Sequence, residues 1–230
     1  MSRHFHEAVD FLINNKRAFF TFCFVLFGMD VLSYIFQTSF VNGEEESRVV
    51  EIIFQVGLLY FTVVLLHYLA LCHQKEKKAF GPLLINSLLL TPGYFLQVLL
   101  LFVAVTLGGF LLILPGIYAF IAFYFAPVLA VVYPDYRGKV FLLSRELFAY
   151  DLSSFIQTLF AILIGGILPF IPEVTLWVST GQMKSIWSLI FAPIDGFIYV
   201  FFNVFIFYFV WQRVENHRGG VALATPNKSS

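Results

Sequence analysis

Six long stretches of the chain are almost free of charge: residues 18–41, 49–71, 92–114, 116–133, 153–172 and 188–211. Each is close to the ~20 apolar residues that an α-helix needs to cross ~30 Å of hydrocarbon. The pattern predicts an all-α, polytopic membrane protein with six transmembrane helices. The polar stretches between them are short, the longest being residues 1–17, 42–48, 73–78 and the segment after Arg213. No soluble domain fits in any of them. Residues 1–212 therefore read as one six-helix transmembrane domain. Residues 213–230, with Gly219, Gly220, Pro226 and two terminal serines, have little to bury and read as a disordered cytoplasmic tail.

Two connections hold more than a turn. From residue 78 to 114 the apolar character is nearly continuous, and at 1.5 Å per residue one helix of that length would reach ~55 Å, too long for a single crossing. Thr91-Pro92-Gly93 is expected to divide it, leaving residues 78–90 as an amphipathic helix in the cytoplasmic interface. The fourth connection, residues 138–152, intersperses Val140, Phe141, Leu143, Leu147, Phe148 and Tyr150 with Lys139, Ser144, Arg145, Glu146 and Asp151. That mixture suits a second interfacial helix, and equally a helix packed on the bundle. Proline and glycine punctuate the rest. Pro115-Gly116 is expected to reverse the chain on the outer side, and Pro127 to kink the fourth crossing, freeing a carbonyl for a neighbour or water.

Charge turns this series of crossings into an oriented one. Twelve of the 14 Lys and Arg residues lie at the two ends and in the second and fourth connections, while the alternate connections hold only Arg48 and Lys184. Basic residues are retained on the cytoplasmic side during insertion, so both termini are expected inside. At 60% hydrophobic and 12% charged, the chain has about half the charged share of a soluble domain. A net charge of zero implies no nucleic-acid surface. Cys23 and Cys72 fall near predicted cytoplasmic helix ends, where thiols stay reduced. The first apolar run is too long for a signal-peptide core and carries Asp30, so it reads as a retained helix. Asn227-Lys228-Ser229 is a glycosylation triplet made irrelevant by a cytoplasmic tail.

Ionisable and polar groups within hydrocarbon are the sharpest functional leads, since a charged residue at a helix centre costs about 2.5–3.5 kcal/mol on the insertion scale. Asp30 lies near the middle of the first crossing and Asp195 in the outer half of the last, beside Pro193. Either the two carboxylates share a polar cavity that takes a proton, cation or lipid headgroup, or Asp30 is held by an interhelical hydrogen bond and Asp195 sits at the interface. Gln97, Gln157 and Asn203 complete the candidate intramembrane polar site, with interhelical hydrogen bonding as their plain explanation. On the inner face, Lys75, Lys77, Lys78, Lys139 and Arg145 are candidate contacts for anionic lipid. His67, Cys72 and His73 do not share a helix face in a way that builds a metal site. The chain holds no Gly-x-Ser-x-Gly, His-Glu-x-x-His, phosphate-binding glycine loop or catalytically spaced carboxylate pair. Neither catalysis nor a cofactor is expected.

Two segments share a cadence: Phe95-Leu96-Gln97, Gly108-Gly109, Leu114-Pro115, and Phe155-Ile156-Gln157, Gly165-Gly166, Leu168-Pro169. This is the form of an internal half-repeat. The run ILPGIYAFIAFYFAPVLAVV, followed by a charged turn and LLSRELFAYD, resembles a bacterial membrane-protein superfamily. It includes the YciC-like proteins of the UPF0259 group, the DUF975 proteins and the membrane domain attached to some glycerophosphodiester phosphodiesterases. The resemblance rests on Pro115 to Tyr118, Ala126-Pro127, and Ser144 with Leu147. It departs at Leu143, where an Arg commonly precedes the Ser, and at the acidic turn Pro134-Asp135. It implies six crossings in a bacterial inner membrane and assigns no chemistry. Three functional classes follow: a non-catalytic scaffold or lipid-associated envelope protein, a small transporter or channel using Asp30, and an accessory subunit of a lipid-metabolising enzyme. A protein partner or a second copy is compatible with each.

Overall fold

The computed structural model describes residues 2–39, 43–76, 80–111, 113–149, 156, 160 and 186–224. Among these, eight α-helices form: α1 Ser2–Asn14, α2 Lys16–Ser39, α3 Glu44–His73, α4 Phe80–Leu111, α5 Ile113–Phe123, α6 Ala126–Val132, α7 Val140–Ala149 and α8 Ile186–Ala224. A short 3-10 helix over Pro134–Lys139 precedes α7. Among the described residues, five segments are long and apolar enough to cross a membrane: Lys16–Ser39, Arg48–His73, Phe80–Phe110, Pro115–Val132 and Ala192–Glu215. The expected fifth crossing, residues 153–172, lies outside the described residues apart from Ile156 and Phe160, and Gln157, Lys77 and Lys78 lie outside them too.

The core is built around α6, all seven residues of which are buried. It packs against α3, α4, α7 and α8. A helix this short and this enclosed can carry no polar side chain without a buried partner, and Ala126-Pro127-Val128-Leu129-Ala130-Val131-Val132 carries none. Around it lie Phe61 to Leu66 of α3 and Val200, Val204, Phe207 and Val210 of α8. Phe22 of α2 meets Phe61 with ring centroids 5.4 Å apart, an edge contact that couples the first two crossings. By contrast, α4 leaves Leu88, Leu89, Leu99, Phe102, Leu107 and Phe110 exposed. A continuous apolar face of this kind marks a surface that meets lipid or another protein.

Three expectations change. Pro92 does not divide the third apolar stretch, because α4 runs unbroken from Phe80 to Leu111 with Pro92 inside it. Proline removes one amide donor from the ladder and leaves the Leu88 carbonyl, four residues back, without its helical donor, a loss that membrane helices tolerate; the adjacent Thr91 hydroxyl donates to the Ser87 carbonyl at 2.9 Å. Residues 80–90 thus contribute the first turns of a long helix rather than a separate one. Nor does Pro115-Gly116 make the reversal. Pro115 and Gly116 lie in the first turns of α5, which begins at Ile113. Gly116 serves close approach instead: a Cβ there would come within 2.7 Å of the Gly109 nitrogen, and one on Gly108 within 2.8 Å of the Gly116 backbone.

The third concerns the C-terminal end, and an unforeseen element forms at the N-terminal one. The polar first residues form α1, whose Ala8 is fully buried and whose Phe11 and Leu12 pack on the core, while His6 and Asp10 are exposed. Positions 8, 11 and 12 make one stripe of an amphipathic helix. At the other end, α8 continues through Arg213 to Ala224, so the segment expected to be a disordered tail is helical up to that point. Arg213 lies over the Phe209 ring at 4.4 Å and donates to the Leu147 carbonyl at 2.8 Å, and Trp211 Nε1 donates to Glu215 Oε1. These contacts tie the end of the crossing to α7.

Pro127 behaves as expected. The fourth crossing breaks at Tyr124 and Phe125, between α5 and α6. The break frees carbonyls at the end of α5, and fully buried Ser144 of α7 donates to that of Ala122 at 2.8 Å. Helix α7 turns Val140, Ser144 and Leu147 inward, with Arg145 and Glu146 exposed. A helix therefore forms in the fourth connection, docked on the bundle by the i, i+4, i+7 face.

Candidate functional site

Polar side chains gather where α3, α4 and α8 meet α6. Tyr199 of α8 shares a short hydrogen bond with the Thr62 hydroxyl of α3, and Thr62 also donates to the Leu58 carbonyl of its own helix at 2.9 Å. Asn203, one turn on from Tyr199, donates from Nδ2 to the Tyr199 carbonyl at 2.9 Å. The phenols of Tyr94 in α4 and of Tyr124 lie within electrostatic reach of Tyr199. Gln97 follows Tyr94 by three residues and so shares its helix face. It is 6% exposed, and its Oε1 is buried without a hydrogen-bond donor. Two further links join α3 to the start of α4: Tyr60 donates to the Leu84 carbonyl at 3.0 Å, and His67 Nδ1 meets Ser87 Oγ at 2.9 Å. The cluster consists of hydroxyls, amides and one imidazole.

The sequence-derived candidates divide accordingly. Gln97 and Asn203 lie on this seam. Asp30 is on the exposed side of α2, next to Met29, whose Cε comes within 3.0 Å of where a Gly57 Cβ would be. Asp195 is half-buried beside Gly196, at the seam of α8 with Cys23 and Leu26 of α2. The tyrosines were missed by sequence reasoning, since Tyr94, Tyr124 and Tyr199 look like three among 11 in an aromatic-rich chain. Their convergence comes only from the fold.

At the end of the bundle where α1, α3, α4 and α8 converge is a cavity of about 740 Å³. Phe11, Tyr68 and Tyr208 supply apolar walls, and Asn15, His73, Lys75 and Glu76 supply polar groups. The backbone at its rim is unusual. Lys75 has φ 59°, and α3 ends there with the Lys75 amide on the Cys72 carbonyl and the Glu76 amide on the Leu71 carbonyl. That pair of bonds is a Schellman cap, whose left-handed position is normally glycine; a side chain there costs ~1–2 kcal/mol. The His73 and Trp211 rings meet at a 47° tilt with centroids 4.4 Å apart, fixing this end of α3 to α8. Lys139 and Arg145 are exposed around α7. Cys23 and Cys72 are both free thiols, as expected. No group of three or more His, Cys, Asp or Glu suited to a metal occurs among the described residues.

Five long apolar helices around an aromatic core define the class: an α-helical protein built to pass repeatedly through a membrane. No protein-family model, curated protein or solved structure matches the chain.

Proposed function

We propose that this is a non-catalytic, lipid-associated scaffold of the bacterial inner membrane, with six crossings, both termini cytoplasmic and an inner face that holds anionic lipid. The observation that carries the reading is Lys75. A lysine occupies a left-handed cap position that glycine would fill at lower energy, and it does so at the mouth of a cavity with Asn15, His73 and Glu76. Strain retained at a cavity mouth is the signature of a side chain kept for what it binds. The 12 basic residues expected on the same side, and the resemblance to the YciC-like superfamily, support the orientation.

The test uses two variants of the purified full chain. Replacing Lys75, Lys77, Lys78, Lys139 and Arg145 together by Gln should lower retention of phosphatidylglycerol, each basic residue contributing up to ~1 kcal/mol near the surface. Lys75→Gly should do part of the same while raising thermal stability by ~1 kcal/mol through relief of the cap. Full lipid retention in both variants would contradict the reading.

A second reading has one observation in its favour. The Gln97 oxygen, buried and without a donor amid the phenols, is arranged to receive a polar ligand inside the bundle, as in a small transporter. In that case Gln97→Leu would abolish binding or transport.

A further inference from the structure

A second concavity, of about 860 Å³, runs along α2 where α8 meets it. Lys16 and Arg17 stand at one end. Phe20, Phe24 and Phe27 continue along α2, and Pro193 and Phe197 of α8 form the opposite wall. Its volume falls within the ~300–1,000 Å³ of small-molecule sites. Phe20 and Phe24 are 64% and 74% exposed, so its apolar wall is uncovered by the described chain.

We propose that this groove binds one anionic glycerophospholipid lengthwise, its phosphate on Lys16 and Arg17 and an acyl chain along Phe20, Phe24, Phe27 and Phe197. Positions 20, 24 and 27 follow i, i+4, i+7 spacing and make one continuous stripe. From Lys16 to Phe27 the helix rises ~16 Å, close to half of a ~30 Å hydrocarbon layer, so a chain anchored at the basic end would lie along the stripe for one leaflet's depth. The charge is complementary at one end only. No carboxylate lines the groove among the described residues, whereas the cavity at Lys75 includes Glu76. The far wall is held in place: Phe197 meets Phe19 edge-on at 5.2 Å and stacks on Phe201 at 6.4 Å. A polar-headed, long-chained anion fits this surface, and a soluble anion would leave its phenylalanines uncovered.

The inference rests on the inside-positive orientation proposed above and uses residues outside the set that tests it. The purified full chain would be exchanged into mixed micelles holding equal phosphatidylglycerol and phosphatidylcholine of the same acyl chains, and bound lipids counted by native mass spectrometry. The wild type should favour the anionic lipid, by up to ~30-fold for two basic contacts. Lys16→Gln with Arg17→Gln should bring the ratio toward parity. Thr21→Trp, placing bulk in the groove at unchanged charge, should cut occupancy by both lipids. Thr21 lines the groove and is exposed, its hydroxyl donating to the Arg17 carbonyl of its own helix, so its replacement spares the core. Equal binding of the two lipids by the wild type would overturn the proposal. So would wild-type occupancy in Thr21→Trp, or a groove filled by a second copy, seen as a dimer that excludes lipid. A preference that survives loss of Lys16 and Arg17 but vanishes in the five-residue Gln variant would remove the groove and leave the broader reading standing.

Discussion

Gln97 shows most clearly how one side chain reports on a whole site. Its buried oxygen lacks a donor, a state that costs ~1–3 kcal/mol when nothing satisfies it. If no ligand reaches it, Gln97→Leu should raise thermal stability by about 1 kcal/mol, measured by the melting of the detergent-solubilised protein; a loss of stability would mean that the carboxamide is engaged. The Thr62–Tyr199 pair makes a quieter prediction. Single and combined Thr62→Val and Tyr199→Phe variants should couple by about 0.6 kcal/mol, the average for interhelical bonds in membranes. Coupling well above that would indicate that Tyr94 and Tyr124 act with them as one network. Asp30, singled out by the sequence, sits on the exposed side of α2 and away from the buried polar seam, so Asp30→Asn should leave the Thr62–Tyr199 coupling unchanged. Sequence could price these residues in hydrocarbon. Which of them meet depends on helix rotation, which an all-round apolar pattern does not encode.

At the scale of elements, the hairpin of α4 and α5 is the most exacting contact. Gly108 and Gly116 meet backbone to backbone, so Gly108→Ala must push the two helices apart and should cost ~1–3 kcal/mol. Gly109→Ala points a methyl into open space and should be nearly neutral. Equal effects of the two changes, in thermal melts, would place the close approach elsewhere. Existence of the long helices was legible in the sequence, because each carries its apolar run for a membrane's thickness. Their ends were less so. Pro92 reads as a break and is not one, since a long membrane helix tolerates the loss of a single amide bond; Pro127 reads as a break and is one, and the bundle offers Ser144 to the freed end of α5. The amphipathic stripe of α1 could have been found at Ala8, Phe11 and Leu12, but charges at both ends hide so short a pattern.

For the whole molecule, a core of aromatic and aliphatic side chains around α6 faces inward, and leucine-rich faces of α4 face outward. Such an object is stable only where its outer surface is not in water. Sidedness is the one global property written in the sequence without any folding, because insertion reads Lys and Arg in short connections before helices pack. The central claim is therefore tested most directly by accessibility. Single cysteines would be placed at Ser47 and Ser185 in a chain whose Cys23 and Cys72 are replaced, and labelled in intact cells with a membrane-impermeant maleimide. Labelling of both from outside is the predicted result; labelling of either only after the inner face is opened would contradict the six-crossing arrangement with both termini in the cytoplasm.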